Sequence, residues 1–139
     1  MPTSADPILV DTSVAIPLLD YGDPDRDRLR AALAGRPMGL AGHAAFETYS
    51  VLTRRPSPRR VSARAAAFLV EQVFPETRWL GPAASAELVG ELAAHGVDGG
   101  SVYDALVGAT AREHGLTLAT RDRRAERTYR LLEVDFLLL

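Results

Sequence analysis

Four acidic residues stand out in this chain because each interrupts a run that would otherwise be read as core or as a junction between elements. Asp11 ends the aliphatic run "ILVDTS", and Glu47 sits in "HAAFETYSVLTR". Asp104 lies among Val102, Tyr103, Ala105, Leu106 and Val107, and Asp122 follows "LTLATR". Carboxylates brought together repel one another and raise one another's pKa unless a cation neutralises them. A hard divalent ion does so: Mg²⁺, or Mn²⁺ as the alternative, takes oxygen ligands and is usually held by one or two carboxylates together with substrate phosphate. Such an ion polarises a phosphodiester, acidifies a water and steadies the leaving oxygen, which makes phosphodiester hydrolysis the natural chemistry. Thr12, Ser13 and Thr120 stand beside these acids and offer hydroxyl contacts.

Each acid also has an ordinary structural role open to it. Asp11 and Asp122 suit helix N-caps. Ser101 followed three residues later by Asp104 fits a capping box. Glu47 is a favourable charge near a helix N-terminus, and Thr12, Ser13 and Thr120 serve equally well as caps.

The elements that must position these residues alternate. "ILV" reads as a buried strand, followed by a helix "SVAIPLL" that Pro17 keeps short or kinked. Asp23 and Pro24 offer an N-cap and a first-turn proline for a helix running to about Ala34 and stopped by Gly35. "MGLA" is a second short strand, and residues 43–54 form the helix that carries Glu47. After the rigid turn "PSP", Ser62 opens an apolar helix to Phe74 with Phe68, Leu69 and Val73 at core spacing. "TRWL" is a third strand candidate. Gly81-Pro82 starts a helix with Leu88, Val89 and Leu92 inward, ended by His95-Gly96. Ser101 to His114 is a helix closed by Gly115, "LTLA" a strand, "TRD" the lead into a helix carrying Tyr129, and "VDFLLL" a last strand. Alternation of this kind predicts an α/β fold, a mostly parallel central sheet with helices on both faces in three layers. Ligands in such sheets bind beyond the carboxyl ends of the strands. The four acids are placed to meet at that rim.

Composition narrows the alternatives. The chain has 139 residues, read as one domain over 1–139, with no cysteine, so disulfides, thiol nucleophiles and Cys-ligated metals are excluded. It also has no lysine: all sixteen basic residues are arginine, which removes P-loop and Schiff-base chemistry. No stretch is long and apolar enough to span a bilayer and no signal-peptide pattern opens the chain, so no membrane is expected and the location expected is cytoplasmic. A net charge of -2 requires any nucleic-acid contact to rest on local arginines.

The segments "VDTSV", "FETYSVLTR", "VYDALVGATAREHGLTLATRD" and "TYRLLEVDF" resemble the PIN-domain family, in particular the VapC-type toxins of bacterial toxin–antitoxin pairs. The resemblance runs from Ile8 to Phe136, and the order and spacing D…E…YDA…TRD carries it. It implies that Asp11, Glu47, Asp104 and Asp122 are the acidic quartet of a Mg²⁺-dependent endoribonuclease. It also implies a PIN-like parallel sheet between helices, a homodimeric toxin, and hetero-oligomers with a cognate VapB-type antitoxin protein that occupies the active-site groove. On that resemblance Asp11 and Asp104, which match the most characteristic motifs, are the expected direct metal contacts, with Glu47 and Asp122 expected to complete or orient the shell. Where some relatives carry a further acid after Asp122, this chain has Arg123 and Arg124, which leaves a second metal open.

Among the arginines, two groups flank the acids: Arg54, Arg55, Arg59, Arg60 and Arg64, and Arg121, Arg123, Arg124, Arg127 and Arg130. Arg121 and Arg54 are the candidates for RNA phosphates, since guanidinium groups suit them, against the plainer role of a solvated helix face. His43, His95 and His114 show no metal spacing, and His95 and His114 read as helix C-terminal cations. Tyr21, Tyr49, Tyr103 and Trp79 read as packing residues rather than base-stacking platforms. Two further functions stay open: a catalytically silent PIN-like module that binds a protein, and an aspartate-dependent phosphatase. The second is disfavoured, because its motif needs an acid where Ser13 stands and a lysine that is absent.

Overall fold

Ile8–Val10 is apolar and fully buried, as a central parallel strand covered on both faces must be. The computed structural model describes residues 5–139, and there this segment is β1. It is followed by α1 (Thr12–Leu19), α2 (Arg26–Ala32), β2 (Met38–Leu40), α3 (His43–Arg54), α4 (Ala63–Val73), α5 (Pro82–His95), α6 (Ser101–Glu113), β3 (Leu118–Thr120), α7 (Glu126–Leu131) and β4 (Phe136–Leu138). All the strands pair in parallel in the order β2-β1-β3-β4. The register sets Val10 against both Leu40 and Ala119, and Thr120 against Leu138.

The chain moves one way from β1 to β2 and the other way to reach β3. Right-handed crossovers therefore send successive connections to opposite faces of the sheet, and the order reverses between β1 and β3. A crevice opens at such a reversal, outside the carboxyl ends of the two strands. Leu9, Val10, Leu118 and Ala119 are fully buried beneath it, and α1, which follows β1, packs on β1 and β3. Among the described residues no helix is long and apolar enough to cross a membrane.

Several expectations from the sequence need correction. "TRWL" is not a strand: only Arg78 pairs, in a single bridge with Ala41. Glu76 N and Arg78 N still donate to Met38 O and Leu40 O at 3.1 and 3.2 Å, but the Leu40 amide turns to the Thr77 hydroxyl at 3.0 Å, which donates in turn to Phe74 O at 2.8 Å, before Gly81-Pro82 leads the chain into α5. This segment covers the outer edge of β2 so closely that a Cβ on Gly39 would sit 2.1 Å from Glu76 O. Asp23 does not cap α2; it accepts from Asp25 N at 2.8 Å in a turn, and the helix starts at Arg26. Phe68 is exposed because the buried residue of α4 is Ala66, two positions or about 200° away around the helix. Val89 is exposed beside the buried seam of Leu88 and Leu92. Tyr21, Tyr49, Tyr103 and Trp79 are exposed rather than packed in the core, which is filled by aliphatic side chains, Phe74 and Tyr129.

Candidate active site

Asp11 is the first residue past β1 and the N-cap of α1, with its own amide still donating to Ala119 O of β3 at 3.2 Å. Its position is thus fixed by the sheet. Its side chain is buried, and hydrogen-bond donors surround both oxygens. Oδ1 accepts from Ser13 N at 3.0 Å and from the Ser13 hydroxyl; Oδ2 accepts from the Thr120 hydroxyl and from Tyr129 Oη at 3.1 Å. Burial pushes the Asp11 carboxyl above its ordinary pKa, and the bonds from Ser13, Thr120 and Tyr129 oppose that. Ser13 also accepts from Arg121 N at 2.8 Å, which ties the start of α1 to the loop after β3.

Asp104 sits differently. The capping box with Ser101 does not form: Gly100 occupies the N-cap position with helical φ and ψ, Ser101 is already the first helical residue, and no side chain caps α6. The Asp104 carboxyl is pushed up to about 6, first by burial and then by repulsion from Asp122, Asp11 and Glu47, with Arg124 opposing. Asp122 heads the turn into α7, where Oδ1 accepts from Arg124 N at 2.9 Å, and its own amide donates to the Thr120 hydroxyl at 3.1 Å. Glu47 lies on the second turn of α3, where Oε1 is 3.5 Å from His43 Nε2. All four acids line one cavity of about 70 Å³, with Thr12, Ser13, Val107 and Tyr129. Glu47, Asp104 and Asp122 also line the larger adjoining cleft of about 670 Å³.

The donors facing this cavity are hard oxygens, a set that suits Mg²⁺ or Mn²⁺. Among the described residues, no three acidic or histidine side chains already converge as a ready ligand group. Asp11 accounts for part of that, since its four acceptor positions are engaged by protein donors. A cation drawn to Asp11 competes with those donors, whereas Asp104 carries a charge that nothing close by fully compensates.

Of the expected phosphate contacts, Arg121 is committed elsewhere, to Asp25 at 2.6 Å. Arg54 is exposed and lines a depression beside Glu47 with His43 and Phe46. Thr12 lines the cavity, while Ser13 and Thr120 make the bonds to Asp11. Sequence reasoning missed three residues. Tyr129, buried and 118 positions from Asp11, reaches it because Gly108 has no side chain: a Cβ there would lie 3.0 Å from Tyr129 Cδ1. His43 stacks on Tyr103 at the cleft, and Arg124, almost wholly exposed, stands at its rim beside Asp122. A tyrosine in a segment otherwise ready to be a short amphipathic helix was the available signal for Tyr129; His43, one turn before Glu47, was the signal for the second. His114 does not act only at a helix end: its Nε2 lies 2.8 Å from Trp79 O.

Comparison with known proteins gives a consistent result. A family model described as PIN domain matches residues 8–131. The chain is 44% identical over 128 residues to Ribonuclease VapC27 of Mycobacterium tuberculosis, covering 92% of this chain and 93% of that protein. It is 46% identical over 101 residues to Ribonuclease VapC40 of the same organism, covering 72% and 75%. Among solved structures it is similar to M. tuberculosis VapC20, described as a Sarcin-Ricin loop cleaving toxin, with a TM-score of 0.65, 25% identity, and coverage of 86% and 93%.

Proposed function

The chain belongs to the PIN domain family, and on that premise we propose that it is an endoribonuclease toxin of a toxin–antitoxin pair. It hydrolyses RNA phosphodiester bonds and is held in check by a cognate antitoxin protein. The observation that carries this reading is the cavity at the sheet reversal, lined by carboxylates from four separate parts of the chain. Mg²⁺, or Mn²⁺, when bound, supplies charge stabilisation at the phosphate and a water of lowered pKa. Asp11 and Asp104 would hold the ion, with Glu47 and Asp122 completing or orienting the shell. Ser13, Thr120 and Tyr129 keep Asp11 aimed, and Arg124 meets a phosphate at the cleft's rim. In the reaction a water oxygen adds to phosphorus, one P–O ester bond breaks, and the departing sugar oxygen takes up a proton. The protein works in the cytoplasm as a homodimer, or in hetero-oligomers with its antitoxin.

The test is cleavage of a defined single-stranded RNA by the purified protein with Mg²⁺, with a chelator, and after Asp11→Asn or Asp104→Asn. Cleavage is expected only from the parent with the ion present, and the same substitutions are expected to relieve growth inhibition on induction. Asn variants that cut RNA as fast as the parent would overturn the reading.

A further inference from the structure

Asp25 stands at the N-cap position of α2, where an aspartate ordinarily accepts from the first free amides of its helix. Here its side chain caps nothing. Instead Oδ2 accepts from Arg121 Nη2 at 2.6 Å, across 96 positions of sequence, and Oδ1 lies 3.4 Å from Arg28. The place of this carboxylate is itself set: Asp25 N donates to Asp23 Oδ1 at 2.8 Å, and Arg26 Nε donates to Leu18 O at 3.2 Å, which holds the head of α2 on α1. Arg121 lies in the loop between β3 and α7, flanked by Thr120, which donates to Asp11, and by Asp122, which lines the acidic cavity. Its amide donates to Ser13 Oγ at 2.8 Å, and that hydroxyl donates to Asp11 Oδ1. Arg121 therefore ties its loop to the first two helices twice, once through the backbone and once through the side chain.

Two roles compete for Arg121. A guanidinium near the acids suits an RNA phosphate, but the charge of this one is already matched by Asp25 at short range. We propose that Asp25 is a positioning residue: through Arg121 it holds residues 120–122 against α1, so that Ser13 and Thr120 stay bonded to Asp11 and Asp122 faces the same cavity. The inference rests on the metal site of the ribonuclease reading and adds to it a pair remote from the reacting atoms. The Ser13 hydroxyl has one proton to give. The Arg121 amide occupies its acceptor side, and the proton goes to Asp11. Release of Arg121 frees that hydroxyl to turn, and Asp11 loses a donor that fixes its orientation. With side chains 27% and 39% exposed, the pair contributes little to global stability. Groups that orient a metal ligand from outside nonetheless change affinity for the ion about tenfold or more, so the effect of this pair falls on the site rather than on the fold.

The experiment titrates Mn²⁺ into the full chain without RNA and reads the free ion by electron paramagnetic resonance. Asp25→Asn and Arg121→Gln are each expected to weaken Mn²⁺ binding about tenfold, and the double variant no further, since all three break one tie. Hydrogen exchange of the Arg121 amide is expected to quicken in Asp25→Asn, while thermal melts stay unchanged. At saturating Mn²⁺ both single variants are expected to lower kcat on an RNA substrate and to leave KM as it is. Parental Mn²⁺ affinity in Asp25→Asn overturns the proposal. So does tighter RNA binding by that variant, which marks Arg121 as a phosphate ligand that Asp25 holds back. A fall in melting temperature that tracks the lost affinity assigns the pair to the fold and overturns it as well. Cleavage by the parent is the separate readout. A parent whose Mn²⁺ binding depends on Asp25 but which cuts no RNA removes the ribonuclease reading alone; cleavage and Mn²⁺ binding indifferent to both substitutions remove the tie alone. A parent that binds no Mn²⁺ removes both.

Discussion

Asp11 and Asp104 are both carboxylates with raised pKa values, yet they are held in opposite ways: one surrounded by donors, the other repelled by three neighbouring acids. Losing either in exchange for Asn is expected to lower cleavage on the order of a hundredfold or more while far-UV dichroism stays unchanged. The Asp104 shift also fixes a sign for stability. Its folded-state pKa of about 6 lies above the ordinary 3.8, so between those values the folded chain binds more protons than the unfolded one. Stability from this group is therefore lost as pH rises from about 4 to about 6, and Asp11 acts in the same direction. Melting temperatures in chelator across that range are expected to fall for the parent and to fall less for Asp104→Asn; equal slopes would show that Asp104 does not carry the repulsion. Tyr129→Phe removes one of two donors to Asp11 Oδ2. The expected cost is about 1 kcal/mol of stability and about tenfold in turnover, as for groups that orient a metal ligand, read by melts and single-turnover cleavage.

At the scale of elements, α6 and α7 meet through Gly108, and this contact lets Tyr129 reach across to the end of β1. A methyl on Gly108 would lie 2.9 Å from Val134 Cγ2 and 3.0 Å from Tyr129 Cδ1. Gly108→Ala is therefore expected to cost about 1–3 kcal/mol by overpacking and to reduce cleavage, because α7 must shift with Tyr129 on it. A variant with parental melting and turnover would show that the contact gives way without consequence. In α3 the Thr48 hydroxyl is buried with no hydrogen-bond partner among the described residues. Thr48→Val is expected to be neutral or to stabilise by about 1 kcal/mol, since a buried hydroxyl without a partner costs that much. Denaturant midpoints check this directly. Helix limits were readable where a cap or a glycine fixed them, as with Ser62 before α4 and the left-handed Gly96 after α5. They were misread where a loop side chain bonded within its own turn, as Asp23 does.

Across the whole molecule, arginine charge is largely spent on internal pairs. Arg55 and Arg59 hold Asp20, Arg112 holds Glu91, and Arg121 holds Asp25. With a net charge of -2, that leaves Arg54 and, in exchange for its own 3.3 Å pair with Asp122, Arg124 as the cations nearest the cleft for phosphate. RNA binding is thus expected to depend weakly on salt, with a log–log slope of about -1.4 for two phosphates on a single strand. A much steeper slope would mean that other arginines leave their partners on binding. The sequence by itself determined the alternation of apolar strands and helices, and with it the parallel sheet, because burial on both faces leaves a local signature in residue type. It also singled out the four acids, since each breaks such a signature. Only the tertiary structure decided which other groups touch them: the phenol of Tyr129 on Asp11, the claim of Asp25 on Arg121, the outward rings of α3 and α6, and the failure of "TRWL" to become a strand. Those outcomes depend on contacts between residues dozens to more than a hundred positions apart, and no local pattern encodes the partner that a side chain meets only after the chain has folded.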